Sequence, residues 1–227
     1  VRICKRSQDL PEGTDGDARF EGAVFGIYNK NSYYVTRKDQ ENRSYLPDEE
    51  VLQITTDASG LAETDAVLQA GTYLIKELTA PEGYLLSEET LTFSIPEDQP
   101  GEMVDLTATP VKDSVIRGGF ALSKWDLERN EAGKTQGDAV LEGAEFTLSN
   151  ESEGAVYVNG RKIAAGEIID TFKTNAEGKI ETSETLLPYG TYKLEETCPP
   201  PGYTRKGENL TRIFQIRENR KICRFDR

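Results

Sequence analysis

A stretch that occurs twice constrains this chain more than any other feature. The first copy is Gly71-Thr72-Tyr73-Leu74-Ile75-Lys76-Glu77-Leu78-Thr79-Ala80-Pro81-Glu82-Gly83-Tyr84. The second is Gly190-Thr191-Tyr192-Lys193-Leu194-Glu195-Glu196-Thr197-Cys198-Pro199-Pro200-Pro201-Gly202-Tyr203. Side chains of a strand alternate between its two faces. Tyr73, Ile75 and Glu77 therefore share one face, as do Tyr192, Leu194 and Glu196, while Lys76 and Glu195 point to water. A sheet buries the face that carries aromatic and aliphatic groups, so each copy sets a carboxylate in the register of a core. A buried carboxylate is costly unless it is partnered or kept protonated. The same costly choice made twice implies a purpose.

The duplication extends over the whole chain, as a test for long-period repeats shows. Phe20-Glu21-Gly22-Ala23-Val24-Phe25 matches Leu141-Glu142-Gly143-Ala144-Glu145-Phe146, and Thr56-Asp57-Ala58-Ser59-Gly60 matches Thr174-Asn175-Ala176-Glu177-Gly178. The second pair is a turn signature by its Asx and Gly residues. Val1-Arg2-Ile3-Cys4-Lys5 matches Phe120-Ala121-Leu122-Ser123-Lys124, and the interval from Lys5 to Glu77 equals that from Lys124 to Glu196. Copies of this length are whole domains and not solenoid units. The sequence is expected to form domains 1–117 and 118–227, joined near Arg117-Gly118-Gly119.

Along the first copy, strands are expected at Val1–Arg6, Ala23–Tyr28, Tyr33–Thr36, Val51–Thr56, Thr72–Leu78, Thr90–Ile95 and Met103–Val115, from alternation and β-branched or aromatic content. Lys38–Glu50 reads as a long exposed connection, and Ala62–Leu68 as one or two helical turns. The second copy repeats the order and adds a hairpin at Asn159-Gly160, the strongest two-residue hairpin signal. Six or seven short strands per copy with frequent turns predict all-β, two tandem sandwiches.

Composition removes several classes of function. Charged residues make up 30% and apolar ones 36% of 227 residues, as in a soluble globular protein. No apolar run approaches the length needed to span a bilayer. A net charge of −13 argues against nucleic acid and against contact with anionic membranes. With no histidine, Ser-His-Asp and Cys-His catalysis and His-based metal sites are absent. Cys4, Cys198 and Cys223 are odd in number and lack CxxC spacing, so a disulfide framework is not expected, although Cys198 and Cys223 could pair. The loop with Asp9, Asp15 and Asp17 does not match an EF-hand. No cofactor and no metal are expected.

Each copy also carries a lysine in core register: Lys5 on the face of Val1 and Ile3, Lys124 on that of Phe120 and Leu122. From the residues alone, a buried ion pair with the glutamate, or a lysine head reaching the rim, meets this pattern. The lysine-bearing first strand, Leu-Glu-Gly-Ala-Glu-Phe, the Asx-Ala-x-Gly turn and Gly-Thr-Tyr-x-Leu-x-Glu-x-x-x-Pro-x-Gly-Tyr together resemble the Cna B-type (SpaA-like) domains of Gram-positive surface proteins and pilins. The first copy departs from the last motif only in having Ile75 for Leu. The resemblance implies tandem prealbumin-like or inverse immunoglobulin-like β-sandwiches. It also implies a spontaneous isopeptide bond between the first-strand lysine and an Asn or Asp of the last strand, promoted by the glutamate. Glu77 and Glu196 are then the catalytic residues, and Lys5 and Lys124 the amines.

In the first copy Val111-Lys112-Asp113-Ser114-Val115-Ile116-Arg117-Gly118 resembles the family's Asn-x-x-Ile-Arg-Gly ending, with Asp for Asn. Asp113 shares a face with Val111 and Val115 and is the expected acceptor; Asp105 is the fallback. In the second copy, the glutamate-to-acceptor interval of the first runs past Arg227, and Asp226 falls ahead of the expected last strand. The second sandwich is therefore expected to lack its last strand and to leave Lys124 and Glu196 without an acceptor.

The leading functional expectation is a structural stalk or spacer of a cell-wall adhesin or pilus subunit, non-enzymatic apart from its single self-processing event. It would be extracellular, anchored to the wall through segments outside these residues, with neighbouring domains of the same surface protein as partners. The alternative is an adhesion module that contacts a host or carbohydrate ligand through Lys38–Glu50 or the Tyr157 hairpin.

Overall fold

The computed structural model describes residues 1–10, 12–64, 68–98, 103–126, 135–204 and 210–226. Every regular element among them is a β-strand. Two compact units form, Val1–Thr14 with Arg19–Ser114, and Asp15–Ala18 with Val115–Arg227.

The first unit contains β1 (Arg2–Ser7), β2 (Val24–Asn29), β3 (Val35–Arg37), β4 (Gln40–Tyr45), β5 (Glu50–Thr55), β6 (Leu61–Glu63), β7 (Gly71–Thr79), β8 (Thr90–Ile95) and β9 (Val111–Asp113). One sheet has the order β5-β2-β7-β8, a second β6-β1-β9, and β3-β4 is a hairpin. The first and last strands, β1 and β9, run parallel, with Lys5↔Val111 and Ser7↔Asp113 in register. The inward faces of the two sheets enclose Ile3, Phe25, Ile27, Ile54, Tyr73, Ile75 and Phe93. Alternation on β7 follows the sequence: Tyr73, Ile75 and Glu77 are buried and Lys76 is exposed.

Two expectations for this unit are corrected. Lys38–Glu50 is not an open connection, because Gln40–Tyr45 pairs antiparallel with β3. Tyr45 is buried and its hydroxyl donates to Gln40 Oε1 at 2.7 Å, so one aromatic supplies the apolar anchor that this polar run conceals. Leu61–Glu63 is not helical but a strand on β1; alternation of three residues is too short to read beside an Ala-rich stretch. The remainder of that stretch, residues 65–67, lies outside the described residues.

The second unit contains β10 (Arg117–Ser123), β11 (Glu145–Asn150), β12 (Val156–Val158), β13 (Arg161–Ile163), β14 (Ile168–Lys173), β15 (Lys179–Glu181), β16 (Leu187–Pro188), β17 (Gly190–Cys198), β18 (Thr211–Ile216) and β19 (Lys221–Asp226). The sheet β14-β11-β17-β18 faces one in which β10 pairs with β15, β16 and β19, over a core of Phe120, Phe146, Leu148, Tyr192, Leu194 and Phe214. The Asn-Gly hairpin forms as expected, with φ 49° at Asn159 and 76° at Gly160. Cys4, Cys198 and Cys223 are free thiols.

The expected absence of the last strand is overturned. β19 runs parallel to β10 over six pairs, from Gly118↔Lys221 to Ser123↔Asp226. In the first unit a long connection separates β8, ending at Ile95, from β9, starting at Val111. In the second, a four-residue turn with Arg220 at φ 57° joins Ile216 to Lys221. Carrying the longer interval across moved the strand beyond the chain. Asp226 ends β19 and does not precede it, and the edge of β10 is covered.

Candidate isopeptide site

The repeated motifs converge on the lysine of each unit. In the first, Asp57 Oδ1 accepts hydrogen bonds from Ser59 N (2.8 Å) and Leu61 N (3.0 Å), and Gly60 N closes the turn on Asp57 O (2.9 Å). Gly60 has φ +78°, and a Cβ there would lie 2.7 Å from Lys5 O, so glycine alone fits. In return Lys5 N donates to Gly60 O at 2.7 Å. The second unit repeats this with Asn175 Oδ1, Gly178 at φ +74°, and Lys124 N donating to Gly178 O at 2.8 Å. The Phe/Leu-Glu-Gly-Ala segment is tied to the same turn, since Ala23 N and Ala144 N donate to Thr56 Oγ1 and Thr174 Oγ1, each at 2.9 Å. Its closing aromatic lines the amine: Lys5 Nζ is 5.5 Å from the Phe25 ring centroid and Lys124 Nζ 6.0 Å from that of Phe146.

In the first unit the three expected residues meet. Lys5 Nζ lies 2.7 Å from Glu77 Oε1 and in direct contact with Asp113 Oδ1, and all three side chains are fully buried. Two carboxyls thus share one amine in an apolar enclosure. Burial pushes the Asp113 carboxyl up to about 6; contact with Lys5 opposes this and the neighbouring Glu77 reinforces it. None of Lys5 Nζ, Glu77 Oε1 and the two Asp113 oxygens has an aligned hydrogen-bond partner. An ion pair kept for stability alone would be poorly served by such burial, because desolvation is repaid only when hydrogen bonds complete the set. Asp105, the fallback acceptor, is at the surface, where its Oδ1 accepts from Thr107 N (2.9 Å) and its carboxyl faces Arg2 at 3.7 Å.

In the second unit Lys124 Nζ donates to Glu196 Oε1 at 2.6 Å, with side chains 15% and 10% exposed. Ser7, the partner of Asp113 in the β-ladder, has Asp126 as its counterpart, two residues after the lysine in each case. The described β10–β19 register stops at Ser123, three residues before Asp126, so no described residue stands at the position matching Asp113. Asp126 is itself buried, and its Oδ2 accepts from the Tyr203 hydroxyl at 2.9 Å.

Sequence reading missed three supports. Ser87 N donates to Glu77 Oε2 at 2.9 Å, a main-chain bond that no residue type announces. Buried Asn29 and Asn150 close β2 and β11; each Nδ2 bridges two carbonyls, Tyr33 and Tyr45 in one unit, Gly154 and Ile163 in the other. Their equal placement in the two copies was an available signal. Finally, Asp17, read as part of an acidic loop, belongs to the second unit, where Glu153 N, the Thr191 hydroxyl and Arg217 donate to its carboxylate.

Among solved structures, the Bacillus anthracis TIE protein is 28% identical, with a TM-score of 0.58; the match covers 100% of this chain and 32% of that one. This chain thus spans about a third of the length of that structure. A streptococcal ancillary pilin (20% identity, 100% and 61% covered, TM-score 0.35) and the shaft pilin SpaA of Lactobacillus rhamnosus GG (20%, 100% and 96%, 0.33) are also similar. A search of curated proteins gave no match. The profile of the SpaA prealbumin-like fold domain matches residues 11–110 and 130–223, nearly the whole of both copies. Two sandwiches of one sequence pattern, each with its lysine and glutamate facing inward, are thus tandem members of that family: the chain belongs to the SpaA prealbumin-like fold domains.

Proposed function

We propose that the chain is a structural stalk module of a Gram-positive surface adhesin or pilus subunit, and that its first domain locks itself with a Lys5–Asp113 amide. The observation that carries this reading is the contact of Lys5 with both Glu77 and Asp113 inside a closed core. The neutral amine attacks Asp113 Cγ; the new N–C bond replaces one C–O bond, and the departing oxygen leaves as water with the two protons released by the amine and carboxyl. Glu77, in contact with the amine, takes its proton and returns it to the leaving oxygen, as a general base and then a general acid. Fixed geometry supplies much of the rate, since the reacting groups never need to find one another. Once formed, the amide ties the first strand to the last, so tension entering at β1 is carried by covalent bonds into β9. The partners of such a module are neighbouring domains of the same surface protein. Its place is outside the cell, anchored through other segments.

Intact mass tests the chemistry. The native chain weighs one water less than its sequence, and Glu77→Ala restores that water. Asp113→Asn still closes the bond but loses ammonia in place of water. A native chain at full sequence mass refutes the proposal.

A further inference from the structure

The Pro-x-Gly-Tyr end of the duplicated stretch lies outside the reacting trio, yet it leads into a segment that touches both carboxyl-bearing elements. After β7 the chain turns at Pro81–Tyr84, where Tyr84 N donates to Pro81 O at 3.2 Å and Gly83 has φ +88°. Tyr84 is buried and stacks on Phe20, with ring centroids 5.5 Å apart and planes at 22°. Phe20 opens the Glu-Gly-Ala segment, so the stack pins the turn to the framework that also holds Thr56 and the lysine turn. One residue on, Leu85 N donates to Ser114 O at 2.9 Å, the carbonyl directly after Asp113. Two residues further, Ser87 N donates to Glu77 Oε2 at 2.9 Å, which leaves Oε1 for Lys5. On the other side of the acceptor, Gln8 N donates to Asp113 O at 2.9 Å.

We infer that residues 81–87 are a positioning strap for amide formation, in which the Ser87 N–H fixes the rotamer of Glu77 while Leu85 fixes the acceptor strand. This rests on the Lys5–Asp113 reading above. Without the Ser87 donor, the glutamate retains its place on β7 but loses the bond that holds one oxygen and aims the other. A main-chain donor to a carboxylate is among the stronger hydrogen bonds, so its loss frees the glutamate side chain to turn away from the amine. Ser87 and Tyr84 touch neither reacting atom, so they are positioning residues and not catalytic ones.

The test compares Ser87→Ala, which keeps the N–H and loses only the hydroxyl that accepts from Glu89 N, with Ser87→Pro, which removes the N–H. Each full chain is purified unfolded, refolded by dilution, and sampled by intact mass over time. Ser87→Ala should lose its water at the native rate. Ser87→Pro should do so roughly tenfold or more slowly, the factor that a bond energy of about 1.4 kcal/mol represents. The same pair built on Lys5→Ala, which cannot react, should melt within about 2 °C of each other, separating positioning from folding. Tyr84→Leu, which loses the ring stack, should also react slowly, and it serves as the readout if Ser87→Pro does not fold. Equal rates for Ser87→Pro and Ser87→Ala, or a native rate for Tyr84→Leu where Ser87→Pro does not fold, overturn the inference. A native chain that never loses water overturns the underlying reading instead.

Discussion

Replacing Glu77 by Gln isolates what the proposed Lys5–Asp113 amide would contribute to the first domain. Glutamine keeps the volume and can still accept from Ser87 N, but it cannot take a proton from the amine. Lys5 then faces Asp113 alone, as one ammonium and one carboxylate, a neutral pair that the core accommodates better than a lone charge. The variant should therefore fold with its full sequence mass. What it lacks is the proposed cross-link, which would close a loop of roughly 100 residues between β1 and β9. The chain-entropy relation for cross-links gives about 4.7 kcal/mol for a loop of that size. A domain of about 100 residues shifts by at least ~4 °C per kcal/mol, so the melting temperature should fall by about 20 °C or more. Differential scanning calorimetry reads the shift, and intact mass on the same sample confirms the missing bond. If Glu77→Gln lacks the bond yet melts within about 3 °C of the native chain, the locking role assigned to the amide is wrong.

Four further outcomes follow from the geometry. Amide formation in freshly refolded chain should slow as pH rises through about 6: the Asp113 carboxyl is raised there by burial, and its neutral form, the better electrophile, persists below that pH and is lost above it. The same sign makes the unreacted first domain less stable as pH rises from about 4 to about 6, because the folded state holds a proton that the unfolded chain releases; chemical denaturation of the unreacted Glu77→Gln chain across that range checks this. Residues 1–227 should lose a single water, and Lys124→Ala should leave that deficit unchanged, since no described residue occupies the register position matching Asp113; loss of two waters in mass spectrometry would place a second acceptor within the chain. Asn150→Ala should cost the second domain about 2–4 kcal/mol in urea unfolding, because the Gly154 and Ile163 carbonyls and the Ser152 N–H all lose their partner at a buried site.

The fold was legible because the duplication supplied a second sample of each motif. Period-two alternation placed Tyr73, Ile75 and Glu77 inward, and the matching Tyr192, Leu194 and Glu196 turned an oddity into a pattern. Asn159-Gly160 fixed its hairpin through local backbone geometry alone. What sequence could not convey was length compensation between the copies. The connection from Ile95 to Val111 has no counterpart between Ile216 and Lys221, and intervals measured in one copy misplaced the last strand of the other. Nor could it convey main-chain donors such as Ser87 N, whose role depends on where the backbone passes. The β4 strand was hidden by polar residues that face water beside one buried tyrosine.

The two units together separate folding from locking. The second builds both sheets, seats Lys124 against Glu196 and completes the parallel pairing of its first and last strands through Ser123↔Asp226. It does so with no described residue at the register position matching Asp113. The first reaches the same architecture and carries its ladder to Ser7↔Asp113, which brings the second carboxyl against the amine. The strand register common to both is therefore sufficient for the sandwich, and under the proposed reading the few residues of ladder beyond the lysine would decide whether chemistry follows. Under the proposed reading, burial of the lysine and glutamate would precede the bond and supply the water-free contact that the condensation needs. A module assembled this way would fold first as an ordinary sandwich of marginal stability and only then become resistant to force, with the cost of its buried charges removed by the bond they form.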